Sequence, residues 1–174
     1  MELTTCLWFN GQAREAATFY TSIFPGSSIS DNWIAPTDTP GNAQGEEIVV
    51  NFKIFGQNFI GLNGGPQFPH SEAISFQIPC ADQAEIDKYW QILTANGGQE
   101  SQCGWLKDKF GISWQVTSPE MMQYLGGSDA QGSQRAAAGS AAGRPHRRRA
   151  GAVRPGGRRA GAGHTPGRRR CRAG

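Results

Sequence analysis

The residues of this chain that could do chemistry are few, and the most informative of them carry no charge. Side chains alternate between the two faces of a strand, and that parity turns Cys6, Trp8, Asn63, Ser75, Gln77 and Gln115 toward one lined space. An aromatic wall beside a thiol, a hydroxyl and three amides suits a small, planar or amphipathic neutral ligand better than a phosphate or a dicarboxylate. Trp8 has a second reading, as the filler of a closed core.

Other chemistries find little support. Cys6, Cys80, Cys103 and Cys171 are widely spaced without a C-x-x-C pair, which argues against a zinc knuckle or a redox motif and leaves free thiols. Cys103 could be a nucleophile, but no His or acid can be assigned as its base, so a structural thiol is the expectation. His70 lies in a Pro-flanked loop and reads as solvated; Lys107, Asp108 and Lys109 read as a turn with solvated charges at the rim of the pocket. Paired carboxylates are missing from the strands assigned to the cavity, so acid/base hydrolysis has no basis there.

These residues need elements to position them. Met1 to Phe9 reads as a strand; Asn10 can cap a helix whose stripe is Ala13, Ala16, Ala17, Tyr20, Ile23 and Phe24, ending at Pro25. A strand over 27–35 follows, then a hairpin in which Ile48, Val50, Phe52 and Ile54 alternate to a turn at Gly56 and return through Phe59 to Asn63. The order then begins again. A strand over 73–79 leads to Asp82, which opens a capping-box helix with Glu85 and a stripe of Ile86, Tyr89, Trp90 and Leu93. After Gly97-Gly98, strands near 100–108 and 111–117 close the pattern. Two such units can pair curved sheets around a concave cavity, and Trp33, Trp90 and Trp114 are assigned to packing.

Charge divides the chain of 174 residues. Residues 1–134 hold five basic and fourteen acidic side chains, a net −9, whereas residues 135–174 hold twelve Arg and no acid. In that tail 34 of 40 residues are Arg, Ala, Gly or Pro, so nothing there can offset the entropy of ordering. The expected division is a folded domain over 1–130 and a disordered tail over 131–174. Three readings compete for the tail: a polyanion-binding arm, a solubilising segment, or a frameshift product of a GC-rich gene, which the composition favours. There is no membrane-length apolar run and no signal-peptide layout, so the expected place is the cytoplasm.

Asn10-Gly11-Gln12-Ala13, Phe19-Tyr20, Ile23-Phe24-Pro25, Leu62-Asn63-Gly64-Gly65-Pro66, Ala73-Ile74-Ser75-Phe76, Cys103-Gly104-Trp105-Leu106-Lys107-Asp108-Lys109-Phe110-Gly111 and Ser113-Trp114-Gln115 together resemble one group. This is the PhnB-like branch of the glyoxalase/bleomycin-resistance (vicinal oxygen chelate) superfamily, often labelled 3-demethylubiquinone-9 3-methyltransferase. The resemblance implies an α+β fold: paired βαβββ modules forming curved mixed sheets around a cavity, helices on the outside, in a homodimer. It also places the four ligands of the superfamily's divalent metal near Thr4, Asn63, Ala73 and Gln115. A hydroxyl, two amides and a methyl make a poor donor set, so no metal and no other cofactor is expected. Methyl transfer from S-adenosylmethionine fares no better, because Asn63-Gly64-Gly65-Pro66 leads into a loop rather than a helix N-terminus. The reading is of a small-molecule-binding protein, with a metal-dependent lyase, isomerase or dioxygenase, or a methyltransferase, as the alternatives. Nucleic acid is a partner only if the basic tail is genuine.

Overall fold

The structure is a computed structural model that describes residues 2–39 and 41–118. The expectations for residues 131–174, and for Cys171, lie outside those residues. Among the described residues eight strands and two α-helices follow in the order β1 (Thr5–Phe9), α1 (Ala13–Ile23), β2 (Ser28–Ile34), β3 (Glu47–Ile54), β4 (Gln57–Asn63), β5 (Ser75–Pro79), α2 (Gln83–Thr94), β6 (Gln99–Glu100), β7 (Trp105–Lys107) and β8 (Ser113–Thr117), with a 3-10 turn at Ala95–Gly97 after α2. The first sheet has the order β1-β4-β3-β2 and the second β5-β8-β7-β6, one plan used twice. In each, the first and last strands of the module run parallel and the remaining pairs antiparallel. The fold is therefore α+β, a pair of βαβββ modules, as the repeat in the sequence implied.

Alternation along the strands decides what each side of a sheet does. On β1, Leu7 and Phe9 are buried while Cys6 and Trp8 face the other way; on β5, Ile78 is buried and Gln77 is exposed. Both helices pack on the buried sides, away from Cys6, Trp8, Gln77 and Gln115. The two modules then join through those same apolar sides. Phe59 of β4 meets Phe76 of β5 edge-on at 5.4 Å, Tyr20 of α1 lies 5.5 Å from Trp114 of β8, and Phe24 stacks on Tyr89 of α2 at 5.3 Å. Each such pair contributes about 0.5–1.5 kcal/mol beyond the area it buries.

Local signals account for most of the helix ends, with one exception. The Asp82 carboxylate accepts the Glu85 amide at 2.9 Å, the forward bond of a capping box, and the Glu85 carboxylate turns back to accept the Ala81 amide, one residue before the cap, at 2.7 Å. At α1, however, the cap is Gln12 rather than Asn10, and no neighbouring side chain bonds the helix start. Its Ala13 amide donates instead to Asn63 Oδ1, fifty residues away, at 2.9 Å. Close approach makes this possible: a Cβ on Gly61 would sit 3.0 Å from that of Ala13. Another departure is the strand expected over 100–108, which splits into β6 and β7 because Cys103 and Gly104 adopt positive φ of 57° and 80° and turn the chain. Trp90 and Trp114 are buried, but Trp33 is 59% exposed, because it stands on the edge strand β2.

The charges of the 107–109 turn are also not solvated as expected. Asp108 is 2% exposed and holds four donors: the Phe110 and Ile112 amides reach Oδ1 at 2.9 and 3.0 Å, and the Tyr20 hydroxyl and Trp114 indole reach Oδ2 at 2.7 and 2.8 Å. Burial raises its pKa, and the four donors pull against that rise. The buried Tyr20 hydroxyl is shifted well above its usual value by the same burial and by the carboxylate beside it.

The substitution Asp108→Asn keeps the shape and both backbone bonds but turns an amide donor toward the Trp114 indole, which can only donate. We expect a loss of about 2–4 kcal/mol in urea unfolding, with about 1 kcal/mol for Tyr20→Phe; an Asp108→Asn variant of unchanged stability would refute this account.

Candidate functional site

The polar residues singled out by the sequence fall into two groups and one outlier. On the second sheet, Gln77 Nε2 donates to Gln115 Oε1 at 3.1 Å and Gln115 Nε2 donates to Ser75 Oγ at 2.7 Å. The register makes this possible, since Gln77 lies opposite Gln115 on the parallel pair β5/β8, and Trp105 of β7 flanks Gln115 on its other side. Gln77 is exposed, while Ser75, Gln115 and Trp105 are half-buried. On the first sheet, Cys6 and Trp8 stand beside Ile60 and Leu62. Among the described residues no hydrogen bond or ring contact joins Cys6 or Trp8 to the Ser75–Gln115–Gln77 row. The contacts that join the two modules are those of the aromatic sides, whose burial brings the larger gain.

Asn63 is the outlier. It lies on the buried side of β4, 6% exposed, with Oδ1 on the Ala13 amide and Nδ2 donating to the Glu47 carbonyl at 2.8 Å. Its placement with the cavity residues is therefore corrected, because both ends of the amide are spent on joining α1 to β3 and β4.

Trp8 does more than line a face. Its Nε1 donates to the Gly65 carbonyl at 2.7 Å, and its ring lies against Gly64 so closely that a Cβ there would come within 2.1 Å. Gly64-Gly65 thus serves contact with an indole, not a cofactor turn; the chain runs on through a loop to β5 and meets no helix before Gln83. Nothing there fits S-adenosylmethionine. Beside Trp8 is a cleft of about 320 Å³, lined by Phe9, Asn10, Gln12, Gly65, Pro66, Phe68, Pro69, His70, Phe110 and Gly111 as well. Sequence reasoning missed this cleft. The available signal was the Gly-Gly pair after β4, a mark of something approaching the backbone closely.

His70 in this cleft is half-buried, not solvated, with its ring edge-on to Phe9 at 5.4 Å and its Nε2 enclosed without a protein partner. Burial lowers its pKa, against smaller raising effects of Asp108 and the Trp8 backbone. Cys103 is exposed on its turn, and Cys80 is buried with its thiol pushed up to about 12, first by burial and then by Glu85 and Asp82. Cys80 is therefore not a prepared nucleophile. Lys107 pairs with Glu72 at 2.6 Å and Lys109 with Glu15 at 2.5 Å.

A metal finds no adequate donors at the positions the resemblance implies. Thr4 is exposed outside β1, Asn63 is committed to the fold, Ala73 offers a methyl, and Gln115 is engaged by Ser75 and Gln77. No group of three or more His, Cys, Asp and Glu converges anywhere among the described residues.

The model of the family 3-demethylubiquinone-9 3-methyltransferase matches residues 1–117. The chain belongs to this family. A Bacillus cereus PhnB protein that bears the family's methyltransferase name is 32% identical, with a TM-score of 0.60 over 68% of this chain and 99% of its own. Protein PA1353 from Pseudomonas aeruginosa, 20% identical, has a TM-score of 0.53 over 68% of this chain and 97% of its own. A glyoxalase/bleomycin resistance protein/dioxygenase from Alicyclobacillus acidocaldarius aligns at 11% identity with a TM-score of 0.42, over 68% of this chain and 90% of its own. A comparison with curated proteins finds no match. The family match and the Bacillus cereus structure agree with the paired βαβββ modules seen here.

The His70 environment makes a signed prediction. A base whose folded pKa lies below the unfolded value near 6.5 adds stability that is complete above that value and is lost as pH falls through the folded pKa. The His70 ring protons should titrate below 6.5 by NMR. Wild type should also lose more stability than His70→Phe between neutral pH and pH about 5. A midpoint at or above 6.5 would show that burial does not control this ring.

Proposed function

We propose that this member of the family binds a small, neutral, planar or amphipathic organic molecule without a metal ion, on the polar sides of its sheets. The supporting observation is the Ser75–Gln115–Gln77 row, an uncharged hydrogen-bonded set in which Gln115 occupies a position the resemblance gives to an ion ligand. The row has a direction. Gln77 donates to Gln115 and Gln115 to Ser75, which leaves the Ser75 hydroxyl proton and the Gln77 carbonyl for a ligand that offers both an acceptor and a donor. Trp105, beside Gln115, supplies a flat apolar neighbour, and Cys6 and Trp8 supply the corresponding surface on the first sheet.

A homodimer fits this reading, since each chain leaves two polar sides open and a second copy could cover one with the other. A reducing compartment, the cytoplasm, fits the free thiols of Cys6, Cys80 and Cys103. No helix among the described residues is long and apolar enough to cross a membrane. Metal-dependent turnover and methyl transfer each lack, among the described residues, the donors or the turn they require.

Thermal unfolding tests the reading. Manganese, nickel and zinc ions should give no stabilisation that a chelator reverses, and a neutral planar amide such as nicotinamide should bind wild type about five- to tenfold more tightly than Gln115→Ala, the worth of one hydrogen bond. Chelator-reversible stabilisation by any of the ions would overturn the metal-independent assignment.

A further inference from the structure

The cleft beside Trp8 lies apart from the Ser75–Gln115–Gln77 row and shares only Trp8 with the surface proposed above, and three stretches far apart in sequence build it. These are the end of β1, the connection after β4 and the turn between β7 and β8. Its volume of about 320 Å³ falls within the range of small-molecule sites. Although acids outnumber bases in residues 2–118, no Asp, Glu, Lys or Arg lines it. Rings do: Trp8 and Phe68 meet edge-on at 4.9 Å, and Phe9 meets Phe110 edge-on at 6.3 Å. Phe68, one of the lining residues, is 64% exposed although its ring is held against Trp8. Its polar side chains are uncharged: Asn10 and Gln12 stand at the end of β1, beside the Trp8 indole and His70. Trp8 Nε1 is occupied by the Gly65 carbonyl, and His70, whose Nε2 has no protein partner, is held toward its neutral form by burial.

We propose that this cleft is a second binding site, for a neutral aromatic molecule of one or two fused rings that lies against Trp8 and Phe68. Charge and shape select that class. A charged group would surrender its hydration to a wall that offers no counter-charge, whereas a flat ring buries the free surface of Phe68 and finds edges and faces to pack on. Both modules contribute to the lining, so an occupant also ties the first module to the 110–111 turn of the second and stabilises their pairing.

Amide NMR spectra of the full chain, titrated with naphthol and with naphthoate as the charged counterpart of the same ring system, test the proposal. Naphthol should shift the Trp8 indole and the amides of Gly65, Phe68 and Gly111. Its affinity should fall about tenfold or more in Phe68→Ala, an exposed position whose loss does not threaten folding, and should return in Phe68→Tyr. Naphthoate should bind about tenfold or more weakly than naphthol. Absence of shifts at these residues, equal affinity for the two compounds, or unchanged affinity in Phe68→Ala overturns the proposal. Shifts confined to Ser75, Gln77 and Gln115 overturn it too, and leave the reading of the polar row standing.

Discussion

A single buried carboxylate ties the two halves of this protein together. Asp108 sits at the turn of the second module, yet it holds the hydroxyl of Tyr20, which belongs to the helix of the first. A carboxylate out of water is costly unless its lone pairs are filled, and here two backbone amides, a phenol and an indole fill them. The geometry is demanding. If α1 slid along its sheet, or the turn opened, one of these donors would be lost and the cost of the buried charge would return. Apolar contacts bring the modules together without much preference for register; the bonds to Asp108 select one register among those available.

The same economy governs the polar sides. Because α1 lacks a local side-chain cap, its start is completed by Asn63 from β4, which also bonds the chain of β3. That commitment removes Asn63 from any ligand chemistry. What stays open is a short row of amides and a hydroxyl on the second sheet, and a thiol and an indole on the first. None of these side chains carries a charge, so none brings the desolvation cost of a bare ion.

Much of the fold was legible in the sequence, because strand alternation and helical spacing are local and repeat. The twin modules, the capping box of α2 and the parity of Cys6 and Trp8 against Leu7 and Phe9 all follow from neighbours within a few residues. The first-helix cap was misplaced for the converse reason: Asn10 is the nearer amide, but Asn63, brought close by a glycine in β4, takes its place. His70 and the 107–109 turn read as solvated, since a loop sequence does not show what will lie over it.

The elements and their order could be read from residue type and spacing along the chain. Which sides of the modules meet, that Asp108 becomes the buried link between them, and that Trp8, Phe68 and His70 share a cleft emerge from the folded chain alone. These outcomes depend on burial and on contacts between residues tens of positions apart. Such contacts are set by the balance of surfaces in three dimensions, which no local pattern encodes.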